Sequence, residues 1–226
     1  MKKFIFLEES LLACYFAFYS LIAFLFLRFS EFSQGWKLFY LTIFYHITFV
    51  AVAKIFRFYA PFRIWKFLLP LSVLMVFPDW FLSSVLKVLV FPEDGFFKIG
   101  TVSGYMAGLW SIPLFILVYT GIKLEERSVS IIGTCLWVGI FSLLIFGIAE
   151  AYSSSLGSWY AQNVKSFSGM AIYVLIPEII LGIVSYLAYQ GFSGSPYIIQ
   201  IGIGFLIMIQ YLGNLSFFYL LIEKIL

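Results

Sequence analysis

Seven long apolar runs, each closed by a charge, a proline or a glycine-rich turn, leave this chain few ways to fold. They cover about Leu11–Leu27, Leu38–Ile55, Phe67–Phe91, Ile99–Ile122, Ser130–Tyr152, Gly169–Tyr189 and Tyr197–Ile222. A helix of roughly 20 apolar residues spans the ~30 Å hydrocarbon layer of a bilayer. The 14 basic and 11 acidic residues fall mostly between the runs, and they make up 11% of the chain. A soluble domain carries about 25% charged residues. With 63% hydrophobic residues and a mean hydropathy of +1.03, a soluble globular domain, a disordered chain, a collagen-like chain and a disulfide scaffold are all excluded. The sequence predicts an all-α polytopic membrane bundle of about seven transmembrane helices, one domain over residues 1–226, with no internal repeat.

Boundaries follow from the breakers. Met1-Lys2-Lys3 starts like a signal peptide, but the run behind it is rich in Phe and Leu and lacks a small-residue cleavage site, so it reads as the first membrane helix. A basic loop is expected at 57–66. The third run contains Pro70, Pro78 and Asp79, which predicts a kinked helix or two short re-entrant pieces. The longest polar loop is Ser153–Ser168, and Gly191–Pro196 is a flexible turn. With the N-terminus inside, Lys2, Lys3, Lys54, Arg57, Arg63, Lys66, Lys123 and Arg127 lie inside, and Arg28, Lys37, Lys87, Lys98, Lys165 and Lys224 outside. That bias reads as N-terminus in and C-terminus out in a cytoplasmic membrane. Cys14 and Cys135 fall inside apolar runs and read as small buried hydrophobes. The dispersed net charge of +3 gives no nucleic-acid footprint. The many aromatics read mainly as lipid-facing Phe with interfacial Tyr and Trp.

Polar groups inside the runs carry the functional signal. A charge at the bilayer centre costs about 2.5–3.5 kcal/mol on insertion scales, so such residues face the bundle interior and mark function by default. Asp79 follows Pro78, and Ser72, Ser83 and Lys87 share its face. Lys87 is about 12 Å along the axis from Asp79, too far for direct pairing. The competing role for Asp79 is to bond backbone groups freed by Pro78. Glu178 follows Pro177, with Gly182 and Ser185 on its face. A neutral carboxylic acid in an apolar pocket donates a proton; a structural Glu instead bonds a neighbouring helix. Glu150 lies near the end of the fifth run. His46, the one histidine, has no partners at ligand spacing and reads as an interhelical hydrogen bond, not a metal ligand. Tyr105, Trp110 and Ser111, then Gln210 and Asn214, are supporting polar groups, with Trp159 and Asn163 in the 153–168 loop. Gly104 and Gly108 form a GxxxG pair, a close-packing signal. By depth, Asp79, Trp110 and Glu178 fall near mid-bilayer. Glu93, Asp94, Glu150, Trp159 and Asn163 fall towards the outer side. One outward-opening cavity would join them.

The loop Phe91-Pro92-Glu93-Asp94-Gly95-Phe96-Phe97 resembles the membrane-embedded lycopene cyclase domain of carotenoid synthesis. That family has a proline, paired acids and paired phenylalanines at a helix boundary. The resemblance implies Glu93 and Asp94 as catalytic acids. The family spacing, Pro-x-Glu-Glu-x-x-Phe-Phe, is one residue longer on each side of the acids. The stretch from Glu150 through Gly157-Ser158-Trp159 and Asn163 to Pro177-Glu178 is similar to carotenoid-pathway membrane proteins that pair an acid with a Gly-x-Trp stretch. Seven helices also invite comparison with microbial rhodopsins. Those need a lysine midway along the last helix, and the seventh run has none before Lys224.

Three functions compete. The first is a membrane enzyme acting on an isoprenoid or other lipid by proton-initiated cyclisation or isomerisation. Its catalytic candidates are Glu178, Asp79, Glu150, Glu93 and Asp94. Its substrate-binding candidates are Trp110, Tyr105, Trp159, Asn163 and Asn214. Such chemistry needs an acid, aromatic faces for a developing cation and a proton acceptor, with no cofactor; the sequence carries no metal or nucleotide motif. The second is a small proton-coupled carrier, with Pro78-Asp79 and Pro177-Glu178 at broken helices around a central site; against it, 226 residues is small for an alternating-access carrier unless it dimerises, and there is no repeat. The third is a non-catalytic assembly protein whose acids only bond neighbouring helices. Membrane lipids are the expected partners, an oligomer is open, and nucleic acid is not expected.

Overall fold

Where a backbone is surrounded by hydrocarbon it must satisfy its own hydrogen bonds, and helices do this within one segment. A computed structural model describes residues 2–226, with side chains from Leu7 onwards. Met1 and the side chains of Lys2 and Lys3, invoked above for the signal and for orientation, lie outside the described residues. Among the described residues seven helical spans are long and apolar enough to cross a membrane, so the chain is an all-α integral membrane bundle.

The helices are α1 (Lys2–Phe29), α2 (Gln34–Ile55), α3 (Tyr59–Leu74), α4 (Val76–Trp80), α5 (Met106–Leu109), α6 (Ser111–Glu126), α7 (Ile131–Ser153), α8 (Ile172–Phe192) and α9 (Tyr197–Tyr219). π-Helical turns extend α4 over Phe81–Val85 and α9 over Leu220–Ile225. α6 is central and packs on α3, α7 and α8. α9 packs on α3 and α8, α2 on α3, and α1 on α2. Leu71, Leu114, Phe115, Leu181, Tyr186 and Leu215 are completely buried where these helices meet.

Several expected boundaries move. The basic segment 57–66 is helical from Tyr59, because Pro61 sits in the first turn of α3, where its missing N–H costs nothing. The third run is one interrupted span, Tyr59–Val85. Its helix breaks at Met75, since Pro78 has no N–H to close the turn onto Leu74. Residues 86–91 leave the helix, and β1 (Leu89–Val90) pairs antiparallel with β4 (Tyr160–Ala161). The fourth span begins at Met106, not Ile99, because β2 (Lys98–Ile99) and β3 (Val102–Ser103) form a hairpin first. A second hairpin, β5 (Ser166–Phe167) with β6 (Met170–Ala171), precedes α8. Residues 86–105 and 154–171 thus interlock as a cap over one end of the bundle.

Polar side chains pin the helices across their interfaces. The Trp65 indole donates to His46 Nδ1 at 3.0 Å. The His46 proton therefore sits on Nε2, which donates to the Gly108 carbonyl at 3.2 Å. This is the interhelical role expected of His46. The close approach expected at Gly108 is also present, as a Cβ there would lie 2.8 Å from both His46 Nε2 and Thr42 Cγ2. At Gly182 a Cβ would lie 2.6 Å from Ser142 Oγ, and that hydroxyl donates to the Glu178 carbonyl at 2.7 Å, tying α7 to α8. Two compositional expectations are corrected. Cys14 is exposed on the outer face of α1 and Cys135 is only partly buried. Tyr45, Tyr105, Tyr173 and Tyr186 are among the largest fully buried side chains, so aromatics build the interior as well as the lipid face.

Replacing His46 with Ala strands the Trp65 N–H, at a cost of about 1–3 kcal/mol for a buried polar group left unpaired, whereas the Gly108 carbonyl keeps the Ser111 hydroxyl at 2.7 Å. A lowered thermal midpoint in detergent is expected for His46→Ala. Gly182→Leu is expected to be worse, since it drives a side chain into Ser142. A midpoint equal to wild type in both would refute the packing described here.

Candidate functional site

Helix breaks and the cap bring three carboxyl groups to one cavity. Asp79 is carried by α4 behind the Met75 break, Glu150 by the last turn of α7, and Glu178 by the turn of α8 that follows Pro177. The cavity has a volume of about 480 Å³ and all three line it. That is within the roughly 300–1,000 Å³ range of ligand pockets. The remaining wall is mostly apolar, from α1, α2, α5 to α9 and the cap, with Met106, Leu109 and Phe146 among its residues.

Each of two acids has an indole partner. Trp110, at the junction of α5 and α6, donates from Nε1 to Asp79 Oδ2 at 3.1 Å. Trp159, in the cap, donates from Nε1 to Glu150 Oε1 at 2.8 Å. Asp79 is therefore not occupied in satisfying backbone freed by Pro78. Its own carbonyl is covered by Ser83, whose hydroxyl donates at 2.7 Å. Glu178 differs from both. It is 3% exposed, and its Oε2 has no hydrogen-bond partner. The three carboxyls lie within electrostatic reach of one another. Tyr211 and Tyr173 also line the cavity, and Tyr211 meets Trp110 edge-on at 5.9 Å. An apolar chamber with aromatic faces, one unengaged carboxyl and two donor-held ones can move a proton onto and off an otherwise apolar ligand.

The cap fixes Trp159. The Ser158 hydroxyl donates to the Ser153 carbonyl at 2.9 Å, β4 is held by β1, and the Tyr105 hydroxyl reaches the Ser158 carbonyl at 3.4 Å. Burial raises the Tyr105 phenol above its ordinary range, against the Ser103 hydrogen bond and with the Asp94 carboxylate adding to the rise, so it remains a donor. Tyr105 thus stands behind the cavity wall and supports Trp159.

Other expected site residues lie elsewhere. Glu93 is a solvent-facing partner of Lys98 at 2.9 Å, its side chain 93% exposed. Asp94 is buried but fully engaged. Its Oδ2 accepts from Ser103 Oγ at 2.6 Å, its Oδ1 from the Phe96 N–H at 3.0 Å, and its carbonyl from the Gly35 N–H at 2.8 Å. The pair that carried the lycopene cyclase resemblance therefore does not line the cavity, because a six-residue turn holds one member in a loop network and points the other at water. Asn163 is exposed in the cap with φ of 57°. Asn214 is half-buried on α9, its Nδ2 without a partner, and it does not line the cavity. Lys87 is exposed beyond the helix, also at φ 57°. Among the described residues no group of three His, Cys, Asp or Glu is arranged to hold a metal ion. Asp79 is six residues from the end of its span at Val85 and Glu178 six from the start of its span at Ile172, about 9 Å each at 1.5 Å per residue. Both acids therefore lie in the part of their spans nearer the cap. The cavity residues not anticipated are Tyr211, Tyr173 and Phe146, which resemble ordinary core aromatics in sequence.

A family model described as Domain of unknown function (DUF6989) matches residues 76–222, well over half of the chain, and the chain belongs to that family. The match begins just before Asp79 and contains Trp110, Glu150, Trp159, Glu178 and Tyr211, so every polar group of the cavity except the Tyr19 hydroxyl falls within it. No curated protein and no solved structure matches the chain.

The different settings of the two loop acids make a direct prediction. Asp94→Ala strands the Ser103 hydroxyl and the Phe96 N–H and is expected to destabilise the cap by about 1–3 kcal/mol, read as a lower unfolding midpoint. Glu93→Ala removes only an exposed ion pair, so its midpoint is expected to stay at the wild-type value.

Proposed function

We propose that the protein is an integral-membrane enzyme that performs acid–base chemistry on an isoprenoid or other lipid, with proton-initiated cyclisation as the reaction form. The observation that carries this reading is the meeting of Asp79, Glu150 and Glu178 in one apolar, aromatic-lined cavity. In this reading the Glu178 carboxylic acid delivers its proton to a carbon–carbon double bond, and the adjacent carbon becomes cationic. A second double bond of the same substrate attacks that carbon and closes a ring, which moves the positive charge along the chain. Loss of a proton from carbon then gives a neutral product that is an isomer of the substrate. Glu150 or Asp79, each already oriented as an acceptor by an indole N–H, takes that proton. Transfer between neighbouring carboxyls restores Glu178. The ring faces of Trp110, Trp159 and Tyr211 suit a passing cation, an interaction that gains about 2 kcal/mol or more when desolvated.

A proton-coupled carrier is the second reading, and the Met75 break beside Pro78-Asp79 favours it, since discontinuous helices frame transporter sites. The cyclisation reading accounts better for the apolar wall, because a carrier for a polar solute needs polar groups along its path.

The test is mass spectrometry of lipid extracts from bacteria supplied with isoprenoid and lycopene pathways. Cells expressing wild type, Glu178→Gln, Glu178→Leu or an empty vector are compared. A new isomeric product is expected with wild type alone, since Gln keeps shape and hydrogen bonding but delivers no proton. Both variants are expected in the membrane at wild-type levels. No new product from well-folded wild type would remove the carotenoid version and favour the carrier. A product from Glu178→Gln equal to wild type would remove Glu178 as the donor.

A further inference from the structure

The walls of the cavity are not equally closed. α1 is fastened to α6 at one end only. Glu8 and Glu9 meet Lys123 and Arg127, with Arg127 to Glu9 at 2.7 Å, and Phe16 lies 5.7 Å from Phe115. Further along, α1 is held to α2 by the Tyr19 hydroxyl on the Leu41 carbonyl at 3.3 Å. Beyond that point Ala23 and Leu27 face the cavity. α7 packs on α6 and α8, and no packed α1–α7 interface exists among the described residues. On the α7 side, Ile148 and Tyr152 line the same cavity while 59% and 63% exposed. A residue that both lines an internal cavity and is open to the surroundings marks its mouth. Ile148 is five residues inside the end of the apolar span Ile131–Ser153, about 7.5 Å at 1.5 Å per residue, so the mouth lies along the apolar length of α7. Of the cap residues in the cavity wall Ser158 is 1% exposed, and Leu156, next along the same edge as Tyr152, is 43% exposed and continues the mouth.

We propose that the cavity is filled sideways from the bilayer through a portal between Ala23–Leu27 of α1 and Ile148–Tyr152 of α7, and that its occupant is a lipid with a hydrocarbon chain. The floor of the portal is the α6 strip Ile112, Pro113 and Ile116, an apolar track on which such a chain lies. The carboxyls and indoles line the same cavity, so the part of the lipid that enters it meets them. A water-soluble ligand would have to cross hydrocarbon to reach this mouth. The α1–α2 hairpin lies outside the family match, and its contribution to the cavity is Ala23 and leucines, with Tyr19 at the rim. It therefore shapes the portal and sets which chains pass. The identity of the reacting end rests on the acid–base reading above; the portal does not.

Contact quenching tests the portal without turnover. A variant retaining Trp110, with Trp36, Trp65, Trp80, Trp137 and Trp159 changed to Phe, is reconstituted in phosphatidylcholine vesicles with plain or brominated acyl chains. Bromine on the chains quenches an indole that a chain touches. Trp110 is expected to lose about half of its emission in the brominated vesicles, and Ala23→Phe or Ile148→Phe, which narrow the mouth from opposite walls, is expected to restore most of it. Where loss of Trp65 costs the fold, a version retaining Trp65 and Trp110 is read against one retaining Trp65 alone. Equal emission in plain and brominated vesicles would overturn the portal, as would quenching that neither narrowing substitution reduces. Failure here leaves proton chemistry at Glu178 standing, and loss of that chemistry leaves the portal standing.

Discussion

A polar group in hydrocarbon has no water to turn to, and the bundle is arranged around that constraint. Some hydroxyls bond a carbonyl of their own helix, as Thr42 and Ser216 do, but the bonds that cross between segments also fix those segments against each other. Ser142 holds the Glu178 carbonyl across α7 and α8. The Ser72 hydroxyl accepts from the Ser111 N–H at 3.0 Å across α3 and α6. His46 joins α2 to both α3 and α5 through its two ring nitrogens. The indoles of Trp110 and Trp159 do the same for Asp79 and Glu150. Against this background Glu178 Oε2 stands out, because it is a buried carboxyl oxygen left without a donor at the wall of a large apolar cavity. A group of that kind carries a full desolvation penalty that a ligand can relieve.

The cap makes this arrangement possible. Two loops that are far apart in sequence are joined by β1 and β4. The Gln162 backbone and side chain add bonds to the carbonyls of Val88 and Lys87, at 2.9 and 3.0 Å. At the outer edge the Lys165 N–H is held by the Glu223 carboxylate at 3.0 Å. This lid covers the cap end of the cavity and brings the Trp159 indole to Glu150. Low local dielectric under the lid strengthens every charge interaction beneath it. The same lid leaves the membrane-facing side as the remaining way in. Closure at one face and opening at another are thus two consequences of one packing arrangement.

Asp79, Glu150 and Glu178 were legible in the sequence because an ionisable residue inside an apolar run is conspicuous whatever its neighbours are. Trp110 and Trp159 were legible for a related reason, as polar-tipped aromatics near those acids in depth. Glu93 and Asp94 were conspicuous on a short pattern, but a pattern of six residues does not say which way a turn points its side chains, and the turn points them away from the cavity. Asn163 and Asn214 had the right chemistry and the wrong azimuth. Tyr211, Tyr173 and Phe146 had the right azimuth and no chemical signal, since a core aromatic and a cavity aromatic have the same sequence signature.

The sequence by itself determined the class, the number of spans and the short list of intramembrane acids, because hydrocarbon imposes those requirements on each segment separately. Helix ends within the third and fourth runs escaped it: apolar residues 86–91 and 99–105 satisfy their backbones by pairing in the cap, and hydropathy does not register pairing. Only the tertiary structure decided that three acids from three helices share a cavity, that two of them have indole donors and the third has none, and that α1 stands apart from α7. Those are relations between segments, set by the Met75 break, the close approach at Gly182 and the joining of two distant loops, and no single segment contains them.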